Sequence, residues 1–259
     1  MILYFWSFID KIMLMGLLSI IKFRKVRRRF MQYEIKGTPF PAVICHLQDG
    51  EQMITEGGGM SWMTPNMVME TTTNGGLGKA FGRLFSGDKM FQNRYTCRGG
   101  EGMISFTSCC PGNIRAVEIH PGQTVICQKS AFLASTPGVN MSIYFKKALG
   151  AGLFGGEGFI MQKFEGEGVL FVELDGSTVE YDLQAGEQLV LDTGHLAIMD
   201  GTCNMDIQTV KGAKNIFFGG EGLFNTIVTG PGKVVVQTLP VNKLALELYR
   251  YMPKSGGNG

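Results

Sequence analysis

Apolar and polar positions change over short distances along most of this chain. Val117-Glu118-Ile119 and Thr124-Val125-Ile126-Cys127 carry the two-residue period of strands with one buried face. Val169-Leu170-Phe171-Val172 and Val234-Val235-Val236 are continuously apolar. Such runs predict strands buried on both faces or set at a subunit contact. Asp175-Gly176, between Phe171-Val172-Glu173-Leu174 and Thr178-Val179-Glu180-Tyr181, predicts a two-stranded hairpin. From Met31 to about Leu239 the pattern is short strands between glycine corners, hence an all-β sandwich or barrel-like architecture. Helical spacing occurs twice. Residues 77–85 place Leu77, Phe81, Leu84 and Phe85 on one side, and Val241 to Tyr251 does the same with Leu244, Leu248 and Tyr251. Pro253 ends the second helix, and the glycine-rich tail after it predicts disorder.

The pattern also repeats. Gly-Gly-Glu-Gly stands at Gly99 to Gly102, Gly155 to Gly158 and Gly219 to Gly222, each with a further glycine ten positions on, at Gly112, Gly168 and Gly232. A second block supports a threefold reading. Leu47-Gln48-Asp49-Gly50-Glu51-Gln52 is nearly reprinted as Leu183-Gln184-Ala185-Gly186-Glu187-Gln188, and Ile119-His120-Pro121-Gly122-Gln123-Thr124 fills the same slot between them. The blocks continue without a gap to Thr64, Thr136 and Asp200. One unit copied to three is the expectation. The repeats are placed at about 31–98, 99–154 and 155–240, with residues 241–259 as a C-terminal helix and tail.

Residues 1–30 stand apart. An apolar stretch to Ile21, broken by Asp10-Lys11, runs into Lys22-Phe23-Arg24-Lys25-Val26-Arg27-Arg28-Arg29. Three readings are open. A membrane anchor needs about 20 apolar residues and a positive cytoplasmic flank. A secretory signal carries its positive charge before the apolar stretch, the reverse of the order here. Alternatively, translation starts at Met31, directly before strand-like sequence. Asp10 is costly inside a bilayer and weighs against a true span.

Charge changes the picture of what the repeated body meets. The chain carries 24 basic and 22 acidic residues, but residues 1–30 hold seven of the basic ones and a single acid. The remainder has 17 basic and 21 acidic side chains, a net of −4. Phosphate backbones are held by clustered Lys and Arg, so nucleic acid is not an expected partner of the body. Among Cys45, Cys97, Cys109, Cys110, Cys127 and Cys203 there is no Cys-x-x-Cys pair. Reduced thiols in a cytoplasmic protein are expected, without metal or cofactor.

Candidate chemistry is sparse. Glu101, Glu157 and Glu221 recur in the glycine corners, where each could receive backbone amides or a cation. Retention in every copy favours a structural role, with Arg94 as a suggested ionic partner. Phe154 and Phe218 precede Gly-Gly-Glu-Gly in two copies and fill a core or make a subunit contact. His120 takes the slot of Gln48 and Gln184, and His195 that of Gly59 and Ala131, so neither slot demands imidazole. His46 and Cys45 are adjacent and would point to opposite faces of a strand. No Ser–His–Asp pattern, phosphate loop or zinc spacing appears.

Asn93-Arg94-Tyr95-Thr96, Leu153-Phe154-Gly155-Gly156-Glu157-Gly158-Phe159, Gly219-Gly220-Glu221-Gly222-Leu223-Phe224, Thr229-Gly230-Pro231-Gly232 and Val236-Gln237-Thr238-Leu239-Pro240 together resemble a bacterial and archaeal family. That family is related to altered inheritance of mitochondria protein 24, and the resemblance covers about residues 31–240. It implies three fused copies of the fold of tryptophan RNA-binding attenuator protein, a short double-stranded β-helix. It further implies ring-like homotrimers acting as a non-enzymatic scaffold, at the inner face of the cell membrane if residues 1–30 anchor it. The alternative it leaves is a ring that binds a small molecule or RNA between repeats. No equivalent Lys/Arg set can be placed in each copy, and fold kinship alone transfers neither ligand.

Overall fold

In the computed structural model, residues 31–73, 91–147, 158–209 and 224–252 are described. Three successive stretches have the same order of strands and pairings. The first runs through β2 (Ala42–Leu47), β3 (Gln52–Glu56), β4 (Met60–Met63), β5 (Met67–Thr73), β6 (Phe91–Cys97) and β7 (Gly102–Thr107), preceded by β1 (Gln32–Lys36). The second has β8 (Gly112–Ile119), β9 (Val125–Gln128), β10 (Phe132–Ser135), β11 (Val139–Lys147), β12 (Phe159–Gly166) and β13 (Gly168–Asp175). The third has β14 (Thr178–Leu183), β15 (Gln188–Asp192), β16 (Leu196–Asp200), β17 (Asn204–Thr209), β18 (Phe224–Thr229) and β19 (Gly232–Gln237). A helix, α1 (Val241–Tyr251), closes the described chain with the bounds its spacing predicts.

Within each module the first strand pairs with the sixth: β2 with β7, β8 with β13, β14 with β19. The second pairs with the fifth: β3 with β6, β9 with β12, β15 with β18. The third also pairs with the sixth, through a bulge in the same place each time, between Met60 and Trp62, Phe132 and Ala134, and Leu196 and Ile198. These pairings cut the chain at about residues 108–111 and 176–177. The boundaries expected near residues 98 and 154 fall instead inside modules. The Gly-Gly-Glu-Gly count misled: Gly99 to Gly102 follows β6, whereas the other two copies precede β12 and β18. Gly102, Gly168 and Gly232 are the true equivalents, each opening a sixth strand, while Gly112 opens a first strand.

The block around Gly50, Gly122 and Gly186 does occupy one structural slot. Glu51, Gln123 and Glu187 amides donate to the carbonyls of Gln48, His120 and Gln184 at 3.0, 2.9 and 3.0 Å. The three glycines have φ of 81, 83 and 80°, the left-handed third position of a type II turn. Pro121 suits the second position, where its ring sets φ in advance. Glu51 and Glu187 then turn back to accept the Gln48 and Gln184 amides at 2.7 and 2.8 Å, and Gln123 does the same for His120 at 3.3 Å.

Asp175-Gly176 does not join a hairpin. β13 pairs with β8 and β10, and β14 with β19, so the turn carries the chain from one sheet to another. The Gly176 amide donates to the Pro111 carbonyl at 2.7 Å, and Asp175 lies opposite Gly112. Gly176 has the left-handed φ of 73° that a hairpin turn asks of its second residue, but Asp175 does not share it, and tertiary pairing selects other partners for both strands.

Val169 to Val172 are fully buried, as continuous apolar character requires. β9 is buried on both faces: Val125 and Cys127 enter one core cluster, Ile126 the other. Residues 77–85 and the tail after Met252 lie outside the described residues.

Candidate subunit-joining edges

Modules are joined to each other by main-chain pairing. β10 of the second module lies against β3 of the first, with Ser135 opposite Ile54. β16 of the third lies against β9 of the second, with Ile198, Met199 and Asp200 opposite Cys127, Ile126 and Val125. Each joint builds a six-stranded sheet from two half-modules, β5-β6-β3-β10-β13-β8 and β11-β12-β9-β16-β19-β14. What is left over is one half-sheet at each end: β1-β2-β7-β4 and β15-β18-β17. Among the described residues, β4 and β15 are thus joint strands paired along one edge only.

Their side chains show the same incompleteness. All four residues of β10 are buried, as are Leu196 to Met199 of β16. None of the four residues of the equivalent β4 is buried, and Trp62 is 44% exposed where Ala134 and Ile198 are at most 6%. Val190 of β15 is 58% exposed, while Ile54 and Ile126 in the same slot are 7% and 0%. Apolar side chains suited to a sheet interior stand on a free edge, the arrangement that invites another chain.

The acidic corner is built differently from its sequence reading. Glu101 is exposed and accepts the Gln48 side-chain amide at 3.1 Å, while its carbonyl accepts Asn66 Nδ2 at 3.0 Å. Asp49 Oδ1 takes the Gly99 amide at 2.8 Å. The corner therefore stitches two turns of the first module together. Arg94 Nη1 donates to Gln52 Oε1 at 2.6 Å, one strand over, and no ion pair joins Arg94 to Glu101. Glu157, Glu221, Phe154 and Phe218 lie outside the described residues.

Burial pushes the Cys45 thiol up to about 12 and raises Cys127 further, the opposite of an activated nucleophile. His46 on the next residue is exposed. His195 Nδ1 is 2.7 Å from the Gln237 carbonyl, at the end of β19. Glu173 is raised, chiefly by burial, although it accepts the Cys109 amide and the Ser108 hydroxyl at 3.1 and 3.0 Å. Asp175 is likewise raised by burial, opposed by the Val241 amide. Among the described residues no group of three His, Cys, Asp or Glu side chains could hold a metal ion. No described helix is long and apolar enough to cross a membrane.

Residues 33–239 match the family model described as mitochondrial biogenesis AIM24. The chain belongs to the AIM24 family. An uncharacterized protein of Streptococcus pyogenes serotype M6 is 32% identical over 229 residues, covering 85% of this chain and 90% of that protein. A crystal structure of a Streptococcus pyogenes protein, from a structural-genomics programme, superposes with a TM-score of 0.70 at 26% identity. It covers 86% of this chain and all of its own. The AIM24 match thus spans every strand described above, from within β1 to the end of β19.

Sequence reasoning missed Trp62, Met63 and Val190 as site residues. Their columns were visible, since each lies at a fixed distance from Gly50 or Gly186. What was hidden is that, among the described residues, the outermost copies of those columns have no strand on their second side.

Proposed function

We propose that this AIM24-family chain is a non-enzymatic scaffold that assembles with copies of itself into a closed ring and serves as an interaction platform. Its three modules are read as tandem copies of the short double-stranded β-helix of tryptophan RNA-binding attenuator protein. The observation that carries the reading is the pair of half-sheets left over among the described residues, one ending in β4 and the other in β15. These edges are different surfaces, so contact between copies is head-to-tail, and head-to-tail contact closes into a ring when the rotation permits. Four cysteines are buried as free thiols, which fits a reducing cytoplasm. The apolar and basic segment 1–30 offers a means of holding the ring at the inner face of the cell membrane.

Native mass spectrometry of freshly purified protein tests the proposal. A single species of about three chains, without stoichiometric ligand, is expected. A strict monomer at micromolar concentration overturns it. A metabolite retained at one per module transfers the reading to a ligand-binding ring.

A further inference from the structure

We infer that β4 of one copy pairs antiparallel with β15 of a second copy, with Met63 opposite Val190 and Trp62 opposite Leu191. The inference rests on the self-assembly proposed above and specifies the contact that makes it.

The register follows from the two internal joints. In the first, Ile54, four residues after Gly50, lies opposite Ser135, thirteen after Gly122. In the second, Ile126, four after Gly122, lies opposite Met199, thirteen after Gly186. Two joints with different side chains keep one register, because each is set by the same turn and the same bulge. Carried to the chain's two ends, the rule places Val190, four after Gly186, opposite Met63, thirteen after Gly50. The neighbouring pairs are then Leu191 with Trp62 and Leu189 with Thr64.

The occupant of each edge is a second copy for three reasons. The three-stranded half β15-β18-β17 and the strands β4-β7-β2 are the two halves of which each internal six-stranded sheet is made. Apolar side chains are present on both: Val190 at 58% and Trp62 at 44% exposure have equivalents that the internal joints bury. Strand addition also supplies partners for the edge amides and carbonyls of both strands at once, which a side-chain contact does not. The joint is continuous with the internal ones, so the added sheet reads β17-β18-β15-β4-β7-β2-β1.

Engineered cysteines read the register. In a chain with C109S and C110S, M63C and V190C are co-expressed as separate single variants and mildly oxidised. Directly opposed cross-strand positions bring Cβ atoms within reach of a disulfide, whereas a shift of one residue turns the side chain to the other face. A covalent dimer is expected from M63C with V190C, at least about tenfold above W62C with V190C, and none from either variant alone. A native mass of several chains without that bond overturns the register while leaving self-assembly in place. Equal bonding by the shifted pair, or bonding of M63C to itself, overturns it as well. A monomeric protein removes both proposals. The second variant, V190D, alters a side chain already exposed in the single chain. It is expected to reduce the assembly to monomer with an unchanged far-UV spectrum, and an intact assembly contradicts the inference.

Discussion

Single atoms explain why certain glycines recur. The amides of Met103, Val169 and Lys233 donate to Thr64 Oγ1, Thr136 Oγ1 and Asp200 Oδ2 at 3.0, 3.0 and 2.9 Å. The residue before each donor is Gly102, Gly168 or Gly232; a Cβ at Gly168 or Gly232 would strike the acceptor's own turn, and one at Gly102 would strike Cys97 Sγ at 2.7 Å. At Gly232 it would stand 2.6 Å from Thr202 Oγ1 and 2.8 Å from Cys203 Sγ, on a backbone with φ of 141°. Gly50 has a φ of 81° but nothing within 4 Å of an added Cβ. Gly50→Ala should therefore cost about 1 kcal/mol, the backbone penalty alone. Gly232→Ala should cost about 3 kcal/mol, strain and collision together. Urea denaturation of the two variants measures the difference, and equal losses would contradict this account. Thr64, Thr136 and Asp200 were legible as the ends of the repeated blocks. Of the glycines beside them, Gly168 and Gly232 were legible as a recurring pair, but Gly102 was not, because the Gly-Gly-Glu-Gly string put Gly112 in its place.

At the level of elements, sequence spacing found α1 but not what holds it. Pro240 provides no side-chain cap. Asp175, at the end of β13, supplies one from a distance, its Oδ2 accepting the Val241 amide at 2.9 Å. Lys243 Nζ lies 2.7 Å from Asp192 Oδ2, at the end of β15. The helix start is thus tied to two strands far away in sequence. Capping carboxylates also complement the positive end of the helix. Asp175→Ala should lower stability by about 1 kcal/mol and speed hydrogen exchange at the Val241 amide. An unchanged exchange rate there would show that the cap is idle. The Asp175-Gly176 turn teaches the same lesson from the other side. A dipeptide can specify a turn, yet the ladders on either side are chosen by whichever strands bury Leu174 and Leu183.

Across the repeated body, the proposed assembly would couple stability to association. Trp62 and Val190 stay partly wet in one chain, and the proposed joining of the half-sheets would remove them from water. A species that binds only the folded chain raises apparent stability with concentration. The thermal midpoint of the native protein should accordingly rise when protein concentration is raised about a hundredfold, while that of V190D stays level. Differential scanning calorimetry across that range provides the check, and a flat native midpoint would argue that the edges stay free.

Period-two patterning, helical spacing and turn glycines each depend on residues close together in sequence, and with the internal repetition they were enough to establish an all-β chain of repeated units with a C-terminal helix. Which strands pair, where one module ends, and which edges remain open depend on contacts across 40 to 60 positions or more, as between Gln48 and Glu101 or Thr55 and Leu133. Three near-equivalent columns look alike until the sheet is assembled. Only then does the outermost copy of each column differ from the others, by having no described strand beside it.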